Sequence, residues 1–517
     1  MDQVEVILVA LLVAVAVFAA AARAIDVPYP IVLVVGGALL GLLPGLPDTQ
    51  LNPDLVLVIF LPPLLYSAAF FANLRDLRAD LRPITLLSVG LVIATILVVA
   101  WVAHHYVGLA WRQAFVLGAI VGPTDPVAAT AIARRLGVPR RIVSILEGEG
   151  LVNDATALVA YKIALGTGAF VLADAGWEFV REAAGGIAIG LAVGWVIGEI
   201  RRRLDDPLVE NTIGLLTAYA AYVPAERAGV SAVLAAVTVG CYVGWRAPEI
   251  AGPTTRLQGF GMWELLQFLL NALLFVLIGL QLPSIVDALS GSTATLIGYA
   301  AAISAAVIVS RLFWQQTIVF VIRTLDRRES VRARRGSWQG RVITGWAGMR
   351  GAVSLAAALA LPGDYPHRDL IVYLTFGVIF ATLVLQGLTL PWLIRMLRVH
   401  DDGRTEREEL AGRLYATKAA LARIDELEAA EWTRDDTIDR MRGAYQYRKR
   451  RLAARAGKAD DDEGYEDRSA AYQTLVREVL EAQRREIIRL RNAGEISNEV
   501  MHRLERELDL EDERLEI

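Results

Sequence analysis

The residues best suited to chemistry in this 517-residue chain lie in two short polar segments within apolar stretches. One is Thr124-Asp125, bracketed by prolines, and the other is Asn153-Asp154, with Glu149 one helical turn before Asn153. A carboxylate at the centre of a bilayer costs about 2.5–3.5 kcal/mol on insertion scales, so ionisable residues there usually mark an ion or proton pathway. Hard cations prefer carboxylate, hydroxyl and carbonyl oxygens. The pattern therefore indicates cation and proton handling inside a membrane.

Asp154 is the candidate for the group that binds the ion, because it lies about 18 Å into its apolar span at 1.5 Å per residue. Burial disfavours the ionised form of a carboxylic acid, so such a group can hold either a proton or a cation near neutral pH. Because a proton and a cation compete for this one carboxylate, the transport of one is coupled to the transport of the other. Asn153 precedes it instead of a second carboxylate, so we expect one charge to cross in each direction, which makes the exchange electroneutral and insensitive to membrane potential.

Composition places the chain among all-α polytopic membrane proteins. Hydrophobic residues make up 55% of the chain, and apolar runs follow one another through residues 1–400, which predicts about thirteen transmembrane helices. Residues 401–517 differ, with 23 Lys/Arg against 30 Asp/Glu, and we expect a helical cytoplasmic C-terminal domain there. Cys241 is the only cysteine, which excludes an intramolecular disulfide and a cysteine metal cluster.

Two of the predicted spans carry breaks, the fifth (114–133) and the twelfth (342–361). Pro123 and Pro126 each remove a backbone donor from the fifth, and glycines surround Arg350 in the twelfth. A single break is usually a kink, but two at matching positions, each beside a charge, favour function. They predict two inverted repeats with crossed interrupted helices and a site at their interface. Asp125 and Arg350 have the charges that would compensate the exposed helix ends.

The arginines predict an orientation. If alternate loops face the cytoplasm, that side receives 20 arginines and the other side receives four. This bias predicts an N-terminus outside and a C-terminal tail in the cytoplasm.

Several polar residues keep alternative interpretations. Glu149 could pair with Arg350, which we favour, or bind the cation. Glu147 could be a functional group or a charge at the cytoplasmic entrance, and Lys162 is expected to extend to the membrane surface. Packing and transport roles both stay open for two interior polar residues, Arg311 and Asn271.

Other function classes fit less well. The five histidines fall near span ends or in or beside the tail, so the sequence offers no Ser-His pair or zinc site for a membrane enzyme. A channel would not require paired broken helices. No nucleotide, calcium or nucleic-acid motif is recognisable in the tail, whose role is either assembly or regulation. The closest rival is an antiporter for K⁺ or for mixed monovalent cations.

Four segments carry a family resemblance. They resemble the signature helices of sodium/proton exchangers of the monovalent cation:proton antiporter-1 family, and the tail looks like that of the bacterial branch. The segments are Phe-Leu-Pro-Pro-Leu-Leu-Tyr at 60–66, Gly-Pro-Thr-Asp-Pro-Val at 122–127, Glu-Gly-Leu-Val-Asn-Asp at 149–154 and Gly-Met-Arg-Gly-Ala-Val-Ser-Leu at 348–355.

The resemblance implies a role for each matching residue. Asp154 would bind Na⁺ or a proton, Thr124 would add its backbone carbonyl to the Na⁺ site, and Asn153 would organise the crossing helices. The remaining roles are charge balance at the helix ends by Asp125 and a structural ion pair between Glu149 and Arg350.

The resemblance also implies an activity. It predicts a homodimer in the bacterial plasma membrane that exchanges Na⁺ or Li⁺ for H⁺ by alternating access, serves pH and sodium homeostasis, and uses no cofactor. One position departs from the family pattern. Gly150 stands where archaeal and animal relatives commonly carry a serine, so one hydroxyl ligand is missing or replaced by water.

Overall fold

The protein is helical throughout the part that a computed structural model describes. It divides into two compact units, Met1–Asp401 and Asp402–Ile517, close to the boundary expected from composition. The described residues are 3–43, 53–166, 172–287, 292–325, 337–401, 403–428, 430, 432–456 and 465–515.

Within its described residues the first unit has helices α1 to α17. Their bounds are α1 Gln3–Ala24, α2 Tyr29–Gly41, α3 Pro53–Phe70, α4 Leu74–Ala79, α5 Leu81–Val107, α6 Trp111–Val121, α7 Pro126–Arg135, α8 Arg140–Leu165, α9 Leu172–Arg201, α10 Pro207–Arg227, α11 Ala232–Ile250, α12 Pro253–Leu280, α13 Leu282–Asp287, α14 Thr293–Leu325, α15 Trp338–Trp346, α16 Ala352–Leu359 and α17 Arg368–Met396.

Six stretches among the described residues are long and apolar enough to cross a membrane, and three shorter apolar helices accompany them. The six are α5, the α6–α7 pair, α12, α17, most of α9 and most of α14. The all-α membrane fold is therefore confirmed, and the number thirteen stays a prediction.

Two bundles can be distinguished by which helices pack together. The flanking bundle consists of α1–α3 and α9–α12, in which α2 lies along α12 and α3 along α11. The crossing bundle consists of α5–α8 and α14–α17, in which α6 packs on α5 and α8, and α14 packs on α5 and α17. If α9 is taken as the connection between the halves, each half gives three helices, α1–α3 or α10–α12, to the flanking bundle and then a helix, a broken helix and a helix to the crossing bundle. This order is the one expected for two repeats.

One segment of each broken helix begins at residues that favour a helix start. Helix α7 begins with Pro126, a residue suited to the first helical turn, and Asp125 caps it by accepting a hydrogen bond from the Val127 N–H at 2.9 Å. Helix α15 begins after Ser337, whose hydroxyl accepts from the Gly340 N–H at 3.1 Å. The sequence-based prediction of two interrupted helices is confirmed.

Three stretches of π-helix lie within α5 and α17, at Leu86–Leu91, Ala103–Val107 and Thr382–Gln386. Such widened turns occur often at functional sites because they leave backbone groups and side chains displaced from regular positions. The stretch in α17 supplies a hydroxyl to the second broken helix.

The second unit contains four helices, among the residues that the structure describes there: α18 Arg404–Leu427, α19 Asp435–Arg455, α20 Tyr465–Asn492 and α21 Asn498–Leu515. Helices α18 and α19 pack around Leu410, Leu414 and Leu452. Helices α20 and α21 are joined by Arg484, which contacts Asp509 at 2.8 Å and Asp512 at 3.3 Å.

Candidate ion-binding site

The two broken helices meet at their breaks. The Asp125 N–H, between α6 and α7, donates a hydrogen bond of 2.9 Å to the Met349 carbonyl, between α15 and α16. Backbone groups that the helices cannot satisfy internally are therefore satisfied across the crossing, as irregular backbone at membrane depth requires. Gly351 is required for this approach, since a Cβ at this position would collide with the Asp125 carboxylate.

Asp125 lies at the starts of two helices. One carboxylate oxygen caps α7, and the other contacts Gly351, which directly precedes α16. The first turn of a helix carries a partial positive charge, which a carboxylate stabilises. The expected role of Asp125 in balancing the helix ends is consistent with this position.

Thr124 links α8 to the first break. Its hydroxyl donates a hydrogen bond of 2.8 Å to Glu149 Oε1. The Asn153 Nδ2 group donates to both the Thr124 carbonyl and the Thr124 hydroxyl, each at 2.9 Å. Asn153 is fully buried, and these hydrogen bonds link the break to α8, while the organising role implied by the resemblance stays a prediction. The Thr124 carbonyl keeps a second lone pair, so a cation could still share it.

Glu149 pairs with Arg311 of α14, which corrects the sequence-based prediction of a pair with Arg350. Arg311 Nη1 and Nη2 donate to the two carboxylate oxygens, the second at 2.8 Å, and both side chains are at most 2% exposed. Arg311 also donates from Nε and Nη2 to the Thr344 carbonyl, at 3.3 and 3.0 Å, near the end of α15. This guanidinium therefore compensates the negative end of a broken helix, a task that the sequence assigned to Arg350.

Arg350 lies in the second break with a different set of contacts. Its backbone N–H donates to the Thr382 hydroxyl of α17 at 3.1 Å. Its side chain is 1% exposed, and its Nε and Nη1 atoms have no hydrogen-bond partner in the described part of the chain. The charges of Glu149 and Arg311 are close enough to act on it.

Asp154 differs from the other polar groups of the crossing. Among the described residues, none donates a hydrogen bond or forms an ion pair with its carboxylate, whereas the Glu149 carboxylate has three donors. Asp154 also keeps 8% of its surface exposed, against 0% for Asn153. Asp125 lies near enough for the two carboxylates to repel each other when both are charged. A buried carboxylate with no partner among the described residues is free to exchange ligands.

Gly150 packs against the first break. A Cβ on Gly150 would lie 2.5 Å from Pro126 Cγ and 2.7 Å from Pro126 Cδ. Since the proline ring cannot rotate away, the contact leaves no room for a larger residue. Close packing against Pro126 therefore explains why a glycine occupies position 150. A serine side chain would not fit here without movement of α7.

Other polar residues named from the sequence lie outside this cluster. Glu147 pairs with Arg134 at the end of α7. Lys162 contacts Glu182 of α9 at 3.3 Å, so it forms an ion pair where simple extension to the membrane surface was expected. Asn271 donates to the Gln267 carbonyl within its own helix at 2.8 Å.

Arg311 is the functional candidate that the sequence left undecided. The signal was present, because an arginine in the middle of the apolar helix α14 needs a buried partner. Neither its spacing from Glu149, 162 residues away, nor its surroundings in the sequence identifies that partner.

The chain matches the family described as "Sodium/hydrogen exchanger, transmembrane" over residues 7–396. A protein of Mycobacterium tuberculosis named as an uncharacterised Na⁺/H⁺ exchanger is 36% identical over 532 aligned positions, covering 99% of this chain and 96% of the relative. A Na⁺/H⁺ antiporter of Aphanothece halophytica is 34% identical, covering 77% of this chain and 75% of the relative.

Two further comparisons concern substrate range and fold. A sodium, potassium, lithium and rubidium/H⁺ antiporter of Bacillus subtilis is 34% identical, covering 71% of this chain and 58% of the relative. The structure of a sodium/proton antiporter of Methanocaldococcus jannaschii is similar with a TM-score of 0.60 and 19% identity, covering 76% of this chain and 99% of that one. The similarity to the Methanocaldococcus jannaschii structure shows the fold alone.

Proposed function

The chain belongs to the sodium/hydrogen exchanger family and is a multi-pass monovalent cation/proton antiporter, and from this membership we propose that it exchanges one Na⁺ for one H⁺. Asp154 binds the two ions alternately, and the crossing bundle carries the site from one side of the membrane to the other. Neither a covalent step nor a cofactor is needed. The observation that carries the proposal is the Asp154 carboxylate, which has no hydrogen-bond or ion-pair partner among the described residues, whereas the Glu149 carboxylate on the same helix has three donors.

The charges at the crossing support exchange of one cation for one proton. Among the described residues, two positive and three negative groups lie there, so their sum is −1 when all are ionised: Arg311 and Arg350 against Asp125, Glu149 and Asp154. An uncompensated charge is costly to hold away from water. One Na⁺ or one proton on Asp154 brings the sum to zero, so the loaded site is neutral with either ion. Both crossing steps then avoid carrying net charge.

Sodium coordination follows from the oxygens that remain available. Asp154 offers both carboxylate oxygens, and the Thr124 carbonyl offers one lone pair beside its bond to Asn153. Hydration water would complete the shell of a hard monovalent cation. Li⁺ fits the same oxygen set.

A second candidate is exchange of K⁺ or of several monovalent cations for H⁺. Gly150 favours it, because the missing hydroxyl leaves a less enclosed oxygen shell that discriminates less by ion size. The Bacillus subtilis relative is named for four alkali cations.

Reconstitution tests both candidates. Proteoliposomes with an internal pH-sensitive dye receive Na⁺, Li⁺ and K⁺ separately, and Asp154→Asn serves as the control. Dissipation of the pH gradient by Na⁺ and Li⁺ is the expected result, and dissipation by K⁺ alone would contradict the sodium assignment. A rate that responds to a potential imposed with K⁺ and valinomycin would contradict the electroneutral stoichiometry.

Three further properties belong to the same proposal. The arginine distribution supports an N-terminus outside and a C-terminus in the cytoplasm of the bacterial plasma membrane. The family resemblance supports a homodimer. Exchange of internal Na⁺ for external H⁺ would serve pH and sodium homeostasis.

A further inference from the structure

An ion pair joins the two bundles of the first unit near the end of α8. Lys162 lies in the last turn of that helix, in the crossing bundle, and its Nζ contacts Glu182 Oε2 of α9, in the flanking bundle, at 3.3 Å. The Glu182 side chain is 5% exposed, whereas that of Lys162 is 56% exposed. The carboxylate is therefore buried in one bundle, and the cation that compensates its charge belongs to the other. We name this contact the inter-bundle pair.

Glu182 is held in place within the flanking bundle. Its backbone carbonyl accepts a hydrogen bond of 3.1 Å from the Ser231 N–H, directly before α11. One turn later, Gly186 brings α9 against the same point, because a Cβ there would lie 2.3 Å from the Ser231 carbonyl oxygen. Such close packing leaves α9 little freedom to move relative to α11. The carboxylate thus has a fixed position in its own bundle.

The helical turn that carries Lys162 is held in the crossing bundle. Arg112 of α6 donates from Nε to the Ala164 carbonyl at 3.1 Å, and its Nη2 donates to the carbonyls of the next two residues. Carbonyls at the end of a helix have no partner within the helix, and a guanidinium satisfies them while it balances their negative partial charge. The end of α8 is thereby tied to α6, so Lys162 moves with the bundle that carries Asp154.

We propose that the inter-bundle pair sets the balance between the two access states of the transporter. This inference rests on the proposed movement of the crossing bundle relative to the flanking bundle. Since each partner is fixed in its own bundle, the pair breaks when the bundles separate at the end of α8. An interaction that is made in only one state stabilises that state alone. The pair therefore favours the state that is closed on the side where α8 ends.

A second ion pair joins the bundles on the side where α8 begins. Arg135, at the end of α7, contacts Asp26, which follows α1, and the two side chains are 58% and 68% exposed. By the same reasoning this pair favours closure on its own side. Water screens an exposed pair, so its effect on an equilibrium is small, whereas removal of the partner of a buried carboxylate has a larger effect. The pair at Glu182 therefore outweighs the pair at Asp26.

Two spin labels on the side where α8 ends can report the separation of the bundles. Cys241→Ser removes the single cysteine, and Ala228→Cys and Gly363→Cys then carry one label on each bundle. Ala228 is exposed and lies between α10 and α11. Gly363 is exposed in the loop after α16, and a Cβ there meets nothing within 4 Å. This loop lies beside the end of α8, since Tyr365 within it is close enough to Tyr161 for an electrostatic interaction.

Pulsed electron paramagnetic resonance on the full chain in lipid nanodiscs measures the two populations. A short distance between the labels corresponds to bundles joined at the end of α8, and a long distance corresponds to bundles separated there. Lys162→Gln and Glu182→Gln should each lower the ratio of short to long by about tenfold, an effect between those of exposed and fully buried pairs. The double variant should show about the same decrease, because each single variant has already lost the pair.

Arg135→Gln is the matched control. It removes one cation from an exposed pair between the same bundles, so the ratio of short to long should stay at the parent value or rise slightly. Lys162 is largely exposed, so its replacement should leave folding intact. An unchanged ratio in Lys162→Gln would overturn the proposal. Decreases that multiply in the double variant, or an equal decrease in Arg135→Gln, would overturn it as well.

The same labels separate this proposal from the proposed function. A single distance in the parent and in all variants, with and without Na⁺, would contradict the movement of the crossing bundle and with it both proposals. Two distances whose ratio does not depend on Lys162 or Glu182 would overturn the role of the pair and leave alternating access in place. The measurement reports positions without transport, so its result is independent of the cation that the first unit carries.

Discussion

Glu149 of α8 and Arg311 of α14 form a two-point ion pair buried in the crossing bundle. The pair joins α8, the helix that carries Asp154, to an arginine that also donates to the Thr344 carbonyl near the end of α15. This geometry gives Glu149 a structural role. Asp154 is then the carboxylate of α8 that has no partner among the described residues.

The first prediction concerns that pair. Glu149→Gln and Arg311→Gln should each destabilise the first unit by about 3–5 kcal/mol, because each leaves a buried charge without its partner. The double variant should recover part of the loss, and thermal unfolding in detergent at one pH measures the non-additivity. Arg350→Gln is the matched control and should cost less than Arg311→Gln, since two of its side-chain nitrogens have no partner in the described residues. Additive losses would show that Glu149 and Arg311 do not depend on each other.

The second prediction concerns Asp154. Asp154→Asn should fold, with an unfolding temperature equal to or above that of the parent, because a neutral amide replaces a carboxylate that has lost water. Transport should disappear in the same preparation. Measurable Na⁺-dependent proton flux in this variant would remove Asp154 from the central role, whatever its stability.

The third prediction concerns the departure at Gly150. Gly150→Ser should not improve selectivity for Na⁺ and should destabilise the unit by about 1–3 kcal/mol, because its Cβ meets the Pro126 ring. Gly214→Ser in α10 is a suitable control, since a Cβ there meets nothing within 4 Å. Stability from thermal unfolding and flux from liposomes are measured for both. A Gly150→Ser variant as stable as the parent would mean that α7 can move away.

The fourth prediction follows from competition at one carboxylate. At pH values where Asp154 is largely protonated, each further unit of acidification should raise the apparent KM for Na⁺ about tenfold, while the maximal rate changes little. Initial rates in liposomes at several pH values on the Na⁺ side give both quantities. A KM that stays constant while the maximal rate falls would indicate that proton and cation bind at different groups.

The breaks could be predicted from the sequence, and the partner of Glu149 could not. Pro123, Pro126 and Gly351 act on their own backbone, so their effect is readable from nearby residues. Two buried arginines, in α14 and in the second break, had the right charge for Glu149. Which of them reaches the carboxylate depends on how α8, α14 and α15 pack.

The contact between Gly150 and Pro126 is of the same kind. From the sequence alone, Gly150 could be interpreted only as the absence of a hydroxyl ligand. Its packing reason becomes visible when α8 lies beside the start of α7. Sequence reasoning therefore found which residues matter at the crossing more readily than which residues touch.

The bond between the Asp125 N–H and the Met349 carbonyl has a consequence for how this protein can diverge. A main-chain carbonyl is offered by every amino acid, so the bond itself places no demand on which side chain occupies position 349. Mutational drift at this position is limited by the space around it, while Gly351, two residues later, is restricted by its contact with Asp125. Homologues can therefore keep the same helix crossing while a different amino acid occupies the position whose carbonyl accepts the bond.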